Sequence, residues 1–114
     1  MYGYCYVAGN PLGNEGLIAL SEGFDKWKEL KKLSIQSCVA DPQGLLIIAT
    51  KAVSLLMLYI SFNKMDYEVA EVISTRMKLL ERLKAEKTGM TERMLVRIAD
   101  SSSIRDVFAG NSRF

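Results

Sequence analysis

The stretch DPQGLLIIATKAVSLLMLYISFN, residues 41–63, decides how the rest of the chain is read. Asp41 followed by Pro42 marks a helix start. Asp accepts from the free amides of a first turn, and Pro at the first helical position lacks the amide that would go unpaired there. From Leu45 to Phe62 apolar residues stand at nearly every helical angle. The pattern predicts one long helix buried all round, ending at Asn63. The run is nearly long enough to span a bilayer, about 18 residues. Lys51 speaks against a span, because a charge near the middle costs on the order of 3 kcal/mol on insertion scales. The same lysine in a soluble helix snorkels to water or meets a partner.

Downstream, Asn63 and Asp66 bracket a reversal, with Asp66 placed as in a capping box. A third helix is expected from about Lys64 to Thr88, with Met65, Val69, Val72, Ile73, Met77, Leu79, Leu80 and Leu83 on one broad face and Gly89 at its end. Thr91 then caps a fourth helix to about Ala99, with Met90 and Leu95 spaced as a hydrophobic staple. The serines 101 to 103 break the chain, and Ser103 with Asp106 suggests a short last helix burying Ile104, Val107 and Phe108.

Upstream, Leu17, Leu20, Phe24, Trp27 and Leu30 recur at steps of three and four, the stripe of a first helix from Glu15 to about Leu33 with Asn14 as its cap. Residues 1–14 form an N-terminal arm in which Tyr2, Tyr4 and Tyr6 alternate as on an extended strand. The expected fold is all-α: a bundle of four to five helices over residues 15–114, preceded by that arm. No internal repeat is read.

The chain has 114 residues, 49% of them hydrophobic and 25% charged, the balance of one folded domain. Its net charge is +2, from 15 basic and 13 acidic residues, which is no dedicated polyelectrolyte binder. Before Asn63 there are 5 basic and 5 acidic residues, and after it 10 and 8, so neither half is a charged tail. Cys5 and Cys38 stand apart with no second thiol near either, which points to a reducing, intracellular and soluble setting. No secretory leader is read at the start.

Chemistry is sparse. With no histidine, the usual triads, zinc sites and the commonest general base are missing. No catalytic residue, cofactor or metal is expected, and an enzyme would need an unfamiliar carboxylate or lysine mechanism. Gly9, Gly13 and Gly16 precede a helix start, but Glu15 would repel an anion there and no lysine follows. In the expected third helix Arg76 falls on the apolar face, so it needs an internal acid such as Asp41, Asp100 or Asp106, or an interface.

These features suggest a non-enzymatic helical interaction module, an adaptor, regulatory or assembly subunit. A small viral accessory protein or a bacterial regulator would both look like this. It would self-associate or bind another protein through Lys51, Val72, Arg76, Met77, Leu79, Leu80 and Leu83. The alternative is a nucleic-acid-binding helical domain using Lys28, Lys31 and Lys32 around Trp27, with Lys78 and Arg82.

Overall fold

The computed structural model of the chain describes residues 4–6, 13–23, 27–36, 41–101 and 103–109. It overturns the all-α expectation. Five short strands, β1 (Tyr4–Tyr6), β2 (Lys32–Ser34), β3 (Met57–Tyr59), β4 (Arg82–Lys84) and β5 (Asp106–Phe108), form one parallel sheet in sequence order. Four helices alternate with them: α1 (Gly13–Gly23), α2 (Pro42–Lys51), α3 (Tyr67–Arg76) and α4 (Glu92–Ala99). A 3-10 turn, Trp27–Glu29, leads into β2.

The registers reveal what the sequence reading missed. Leu33 pairs with Leu58, Leu58 with Leu83 and Leu83 with Val107, so successive strands are 25, 25 and 24 residues apart. Leu30, Leu55 and Leu80 keep the same step, as do Ile35, Ile60 and Ala85, and the helix-entry residues Asp41, Asp66 and Thr91. Residues 55–65 read L-x-x-L-x-I-x-x-N-x-M, the spacing of leucine-rich-repeat solenoids, in which each unit contributes one strand and one helix. The architecture is therefore a β/α solenoid. No unit can bury its apolar side alone, so each stacks on the next.

The long second helix is thus two elements. Leu45, Ile48, Ala49 and Ala52 are buried at helical spacing, and the helix closes when the Ala52 amide donates to the Ile48 carbonyl. A turn at Val53 and Ser54 follows, and beyond it Leu55, Leu58 and Ile60 point inward while Met57 and Tyr59 point out. Apolar residues at every angle were the sum of two different periods. The third helix divides in the same way: α3 buries Val69, Ala70 and Ile73, and ends at Arg76. Leu80, Leu83 and Ala85 then lie in and around β4. Gly89 belongs to the loop before α4, where its φ of +79° is a conformation glycine adopts without strain. The first helix stops at Gly23, and the expected last helix is the strand β5.

Helix entries follow the capping logic. Asp66 is itself the N-cap of α3, its Oδ1 accepting from the Val69 amide at 3.1 Å. Thr91 Oγ1 accepts from the Met94 amide at 3.3 Å, and the Thr91 amide donates to Met94 Sδ at 3.2 Å. Asp41 occupies the corresponding place before α2 with extended backbone, but its side chain makes no cap hydrogen bond, contrary to the expectation from the sequence.

Helices pack on their sequence neighbours, α1 on α2, α2 on α3 and α3 on α4, along one side of the sheet. Parallel strands sit about 4.8 Å apart, whereas packed helices need about 8–10 Å. In a stack of this kind that mismatch favours curvature with the sheet on the inner side. Between the layers lies one core that includes the fully buried Leu33, Ile35, Leu55, Ile73, Met77, Leu80, Leu83 and Ile98.

The turns leaving the strands are held by buried polar side chains. Asn63, 4% exposed, donates from Nδ2 to the carbonyls of Ile35 at 2.8 Å and Ile60 at 3.1 Å, tying one repeat to the one before it. Ser61 Oγ accepts from the Glu86 amide at 2.9 Å, reaching the repeat after it, and Thr88 Oγ1 donates to Ala85 within its own turn. Phe62 and Lys87, 25 residues apart, both take positive φ, 64° and 57°, so the turn itself repeats.

Two substitutions check this account by urea denaturation. Asn63→Ala leaves two buried carbonyls short of a donor and should cost about 2 kcal/mol. Lys87→Gly relieves a left-handed backbone at an exposed site and should add about 0.5 kcal/mol.

Candidate functional site

The period-two alternation of each strand sends one set of side chains into the core and the other onto the open sheet face. Two rows cross that face. Lys32, Met57, Arg82 and Asp106 are in register in one, and Ser34, Tyr59, Lys84 and Phe108 in the other. They hold three cations and one carboxylate.

Tyr59 is the hub. The ammonium of Lys32, from the strand before, lies 4.9 Å from its ring centroid, and that of Lys84, from the strand after, 5.9 Å. Both are at cation–π distance. Its hydroxyl lies 3.9 Å from Met57 Sδ. Arg82 Nη2 donates to Asp106 Oδ2 at 3.3 Å across adjacent strands, and the guanidinium stands 5.9 Å from the Phe108 ring centroid. Hydrogen bonding to Tyr59 first, and then to Asp106, raises the Arg82 pKa further, so Arg82 is cationic at every working pH. The pair is about half exposed, 42% and 48%, so it orients the two side chains more than it stabilises the fold.

Beside this hub Tyr59, Arg82, Lys84, Glu86 and Phe108 line an open pocket of about 280 Å³. Phe62, 53% exposed, follows β3 at the same end, its amide bonded to the Glu86 carbonyl. Ser34 is buried to 1% exposure in the Tyr59 row, and its Oγ has no hydrogen-bond partner among the described residues. Among the described residues no group of acids and thiols is arranged to hold a metal ion. No helix there is long and apolar enough to cross a membrane.

The residues singled out from the sequence are dispersed. Met77, Leu80 and Leu83 are fully buried and offer no surface. Val72 packs against the core from α3, whereas Lys51 and Arg76 are exposed at the ends of α2 and α3, and Leu79 is 52% exposed in the following turn. Arg76 needs no buried acid once its helix ends there: Asp106 pairs with Arg82, and Asp100 with Arg97 at 3.8 Å. Lys51 lines an apolar groove of about 290 Å³ with Leu46, Ile47 and Thr50 on the outer side of α2. Of the nucleic-acid candidates only Lys32 and Arg82 share the sheet face; Lys28 and Lys78 occupy the turns between helix and strand, and Lys31 precedes β2.

Tyr2, Gly9, Phe24, Lys26, Cys38 and Ser102 lie outside the described residues, as do the side chains of Tyr4, Cys5, Tyr6, Asn14 and Trp27. Sequence reasoning missed Tyr59, Lys84 and Phe108 as one surface. The signal that could have joined them is the 25-residue step, which stacks position 34 on 59 and 59 on 84.

Neither the protein-family models nor the curated proteins searched contain a match to this chain.

The division between core and face is measurable on two neighbouring leucines. Leu80→Ala should cost about 3 kcal/mol, as for a buried leucine, and Leu79→Ala less than about 0.5 kcal/mol. Equal losses in urea melts would contradict the division.

Proposed function

We propose that the chain is a non-enzymatic protein-interaction module that docks its partner on the open face of the sheet. The observation that carries this reading is the Tyr59 hub: an aromatic ring flanked by Lys32 and Lys84, next to the pocket lined by Arg82 and Phe108. The core needs none of these side chains, since Leu33, Leu58 and Leu83 supply the burial on the opposite side of the same strands. Tyr and Arg are the residues that most often dominate binding energy, and a rigid sheet presents them at little entropic cost.

Solenoids use their inner surfaces for extended partners, and the closer spacing of strands than of helices favours the sheet side for that role. Association through α2 and α3 has less support, because three of its seven proposed contacts are inside the core. The separated cysteines favour a reducing, intracellular setting for this role.

Display of a random peptide library tests the reading. Selected peptides should bind the wild-type chain and lose at least about tenfold in affinity with Tyr59→Ala or Phe108→Ala, each removing one aromatic anchor. Lys51→Ala and Arg76→Ala, on the helical side, should leave binding unchanged. Peptides sensitive to Lys51 and Arg76 but indifferent to Tyr59 would move the docking surface to the helices.

A further inference from the structure

We propose that the sheet face selects an acidic protein segment in extended conformation, an inference that rests on the sheet-face reading above and names the chemistry of the partner. Three cations, Lys32, Arg82 and Lys84, stand on the two outward rows against the single carboxylate of Asp106. Glu86 adds a second acid at the pocket rim, and the surface remains positive.

All three cations are partly exposed. Asp106 engages Arg82 through one nitrogen, Nη2 at 3.3 Å, and a guanidinium has further donors to offer a carboxylate. Lys32 and Lys84 converge from β2 and β4 on the one ring of Tyr59, which brings two like charges within about 11 Å of each other, the most that distances of 4.9 and 5.9 Å to one centroid allow. A carboxylate entering near the ring is attracted to both ammonium groups and screens their mutual repulsion.

Spacing specifies an extended chain. Side chains of an extended segment alternate, so those that face the sheet are two residues, about 7 Å, apart. Lys32 and Lys84 lie on β2 and β4, two strand spacings or about 9.6 Å apart, and their flexible stems meet at Tyr59, within reach of such a pair of carboxylates.

Two features favour a peptide over a nucleic acid. A phosphate chain carries a charge at every residue and would meet Asp106 and Glu86, whereas a peptide can place its carboxylates at the cations and neutral residues opposite the two acids. The faces of Tyr59 carry ammonium groups at cation–π distance, so base stacking would have to displace them.

Fluorescence anisotropy with labelled peptides alternating Glu and Val gives the test, with Gln or Lys replacing Glu in two control peptides and single-stranded oligothymidylate as a third probe. The Glu peptide should bind best and weaken as salt rises. Lys84→Glu and Lys32→Glu should each weaken it at least about tenfold, while Lys51→Glu, the same charge change on the helical side, should not. Lys84→Gln should fall between, and circular dichroism melts confirm that each variant is folded. Equal binding of the Gln or Lys peptide, still lost with Tyr59→Ala, would overturn acidic selection and leave the sheet-face reading intact. Tighter binding of oligothymidylate would overturn the proposal in favour of nucleic acid. Failure of the Glu peptide to bind a chain that does bind library-selected peptides would overturn it as well.

Discussion

Leu33, Leu58 and Leu83 stand one strand spacing apart on the covered side of the sheet, each nearly or fully buried, and the rest of the molecule is arranged around keeping them stacked. A three-residue strand cannot be stable alone, because it exposes one apolar face and two rows of unpaired backbone groups. In the stack every interior strand finds both partners. The Lys31 carbonyl accepts from the amides of Leu56 and Met57, the Leu56 carbonyl from Glu81 and Arg82, and the Glu81 carbonyl from Arg105 and Asp106, the same bifurcated joint at successive repeats. Asn63 and Ser61 close the other end of the strands. Stability in such an array is a sum over neighbours, so loss of one joint weakens two repeats at once.

Helix starts were legible in the sequence because their causes are local. Pro42 at the first position of α2 and the Thr91 cap of α4 depend only on adjacent residues, although the Asp41 side chain makes no cap hydrogen bond. The strands were not, and the reason is visible in β4. Its surroundings, LLERLKAEK at residues 79–87, consist of residues that all favour helix, yet Arg82–Lys84 is extended. What overrides propensity there is pairing with β3 and β5, a contact between segments about 25 residues apart that no window of local periodicity samples. Comparing the chain with itself at that offset aligns Leu55 with Leu80, Leu58 with Leu83, and Asp66 with Thr91. A capping residue matched to a capping residue is what distinguishes a structural repeat from chance recurrence of leucine.

The site was obscured by the same misreading. Arg82 and Lys84 look like members of an ordinary charged helix face, and Tyr59 like one more apolar residue in a buried helix. Once both segments are strands, residues two apart share a face and residues 25 apart are neighbours across it. Arg76 moves in the opposite sense. It drew interest only because a helix continued past it. With α3 ending at that residue, it is exposed near the negative end of the helix dipole, where a cation is ordinarily favourable.

The solenoid separates what stabilises it from what it displays, and this is why a binding surface fits the sheet face. Stability resides in the inward positions and in the turn residues Asn63, Ser61 and Thr88. The outward positions alternate with them and carry little of the burial, so aromatic and charged side chains can occupy Tyr59, Lys84 and Phe108 without disturbing the core. Ser34 marks the limit of that independence. It is in the outward row, yet it is buried and its hydroxyl lacks a hydrogen bond among the described residues. An unpaired hydroxyl out of water costs free energy that an alanine at the same place would not. The burial of Ser34 shows that the Tyr59 row is closed at its β2 position, whereas Lys32, on the neighbouring row of the same strand, is partly exposed. The accessible surface therefore runs from Lys32 across Tyr59 to Arg82 and Lys84, where it meets the pocket.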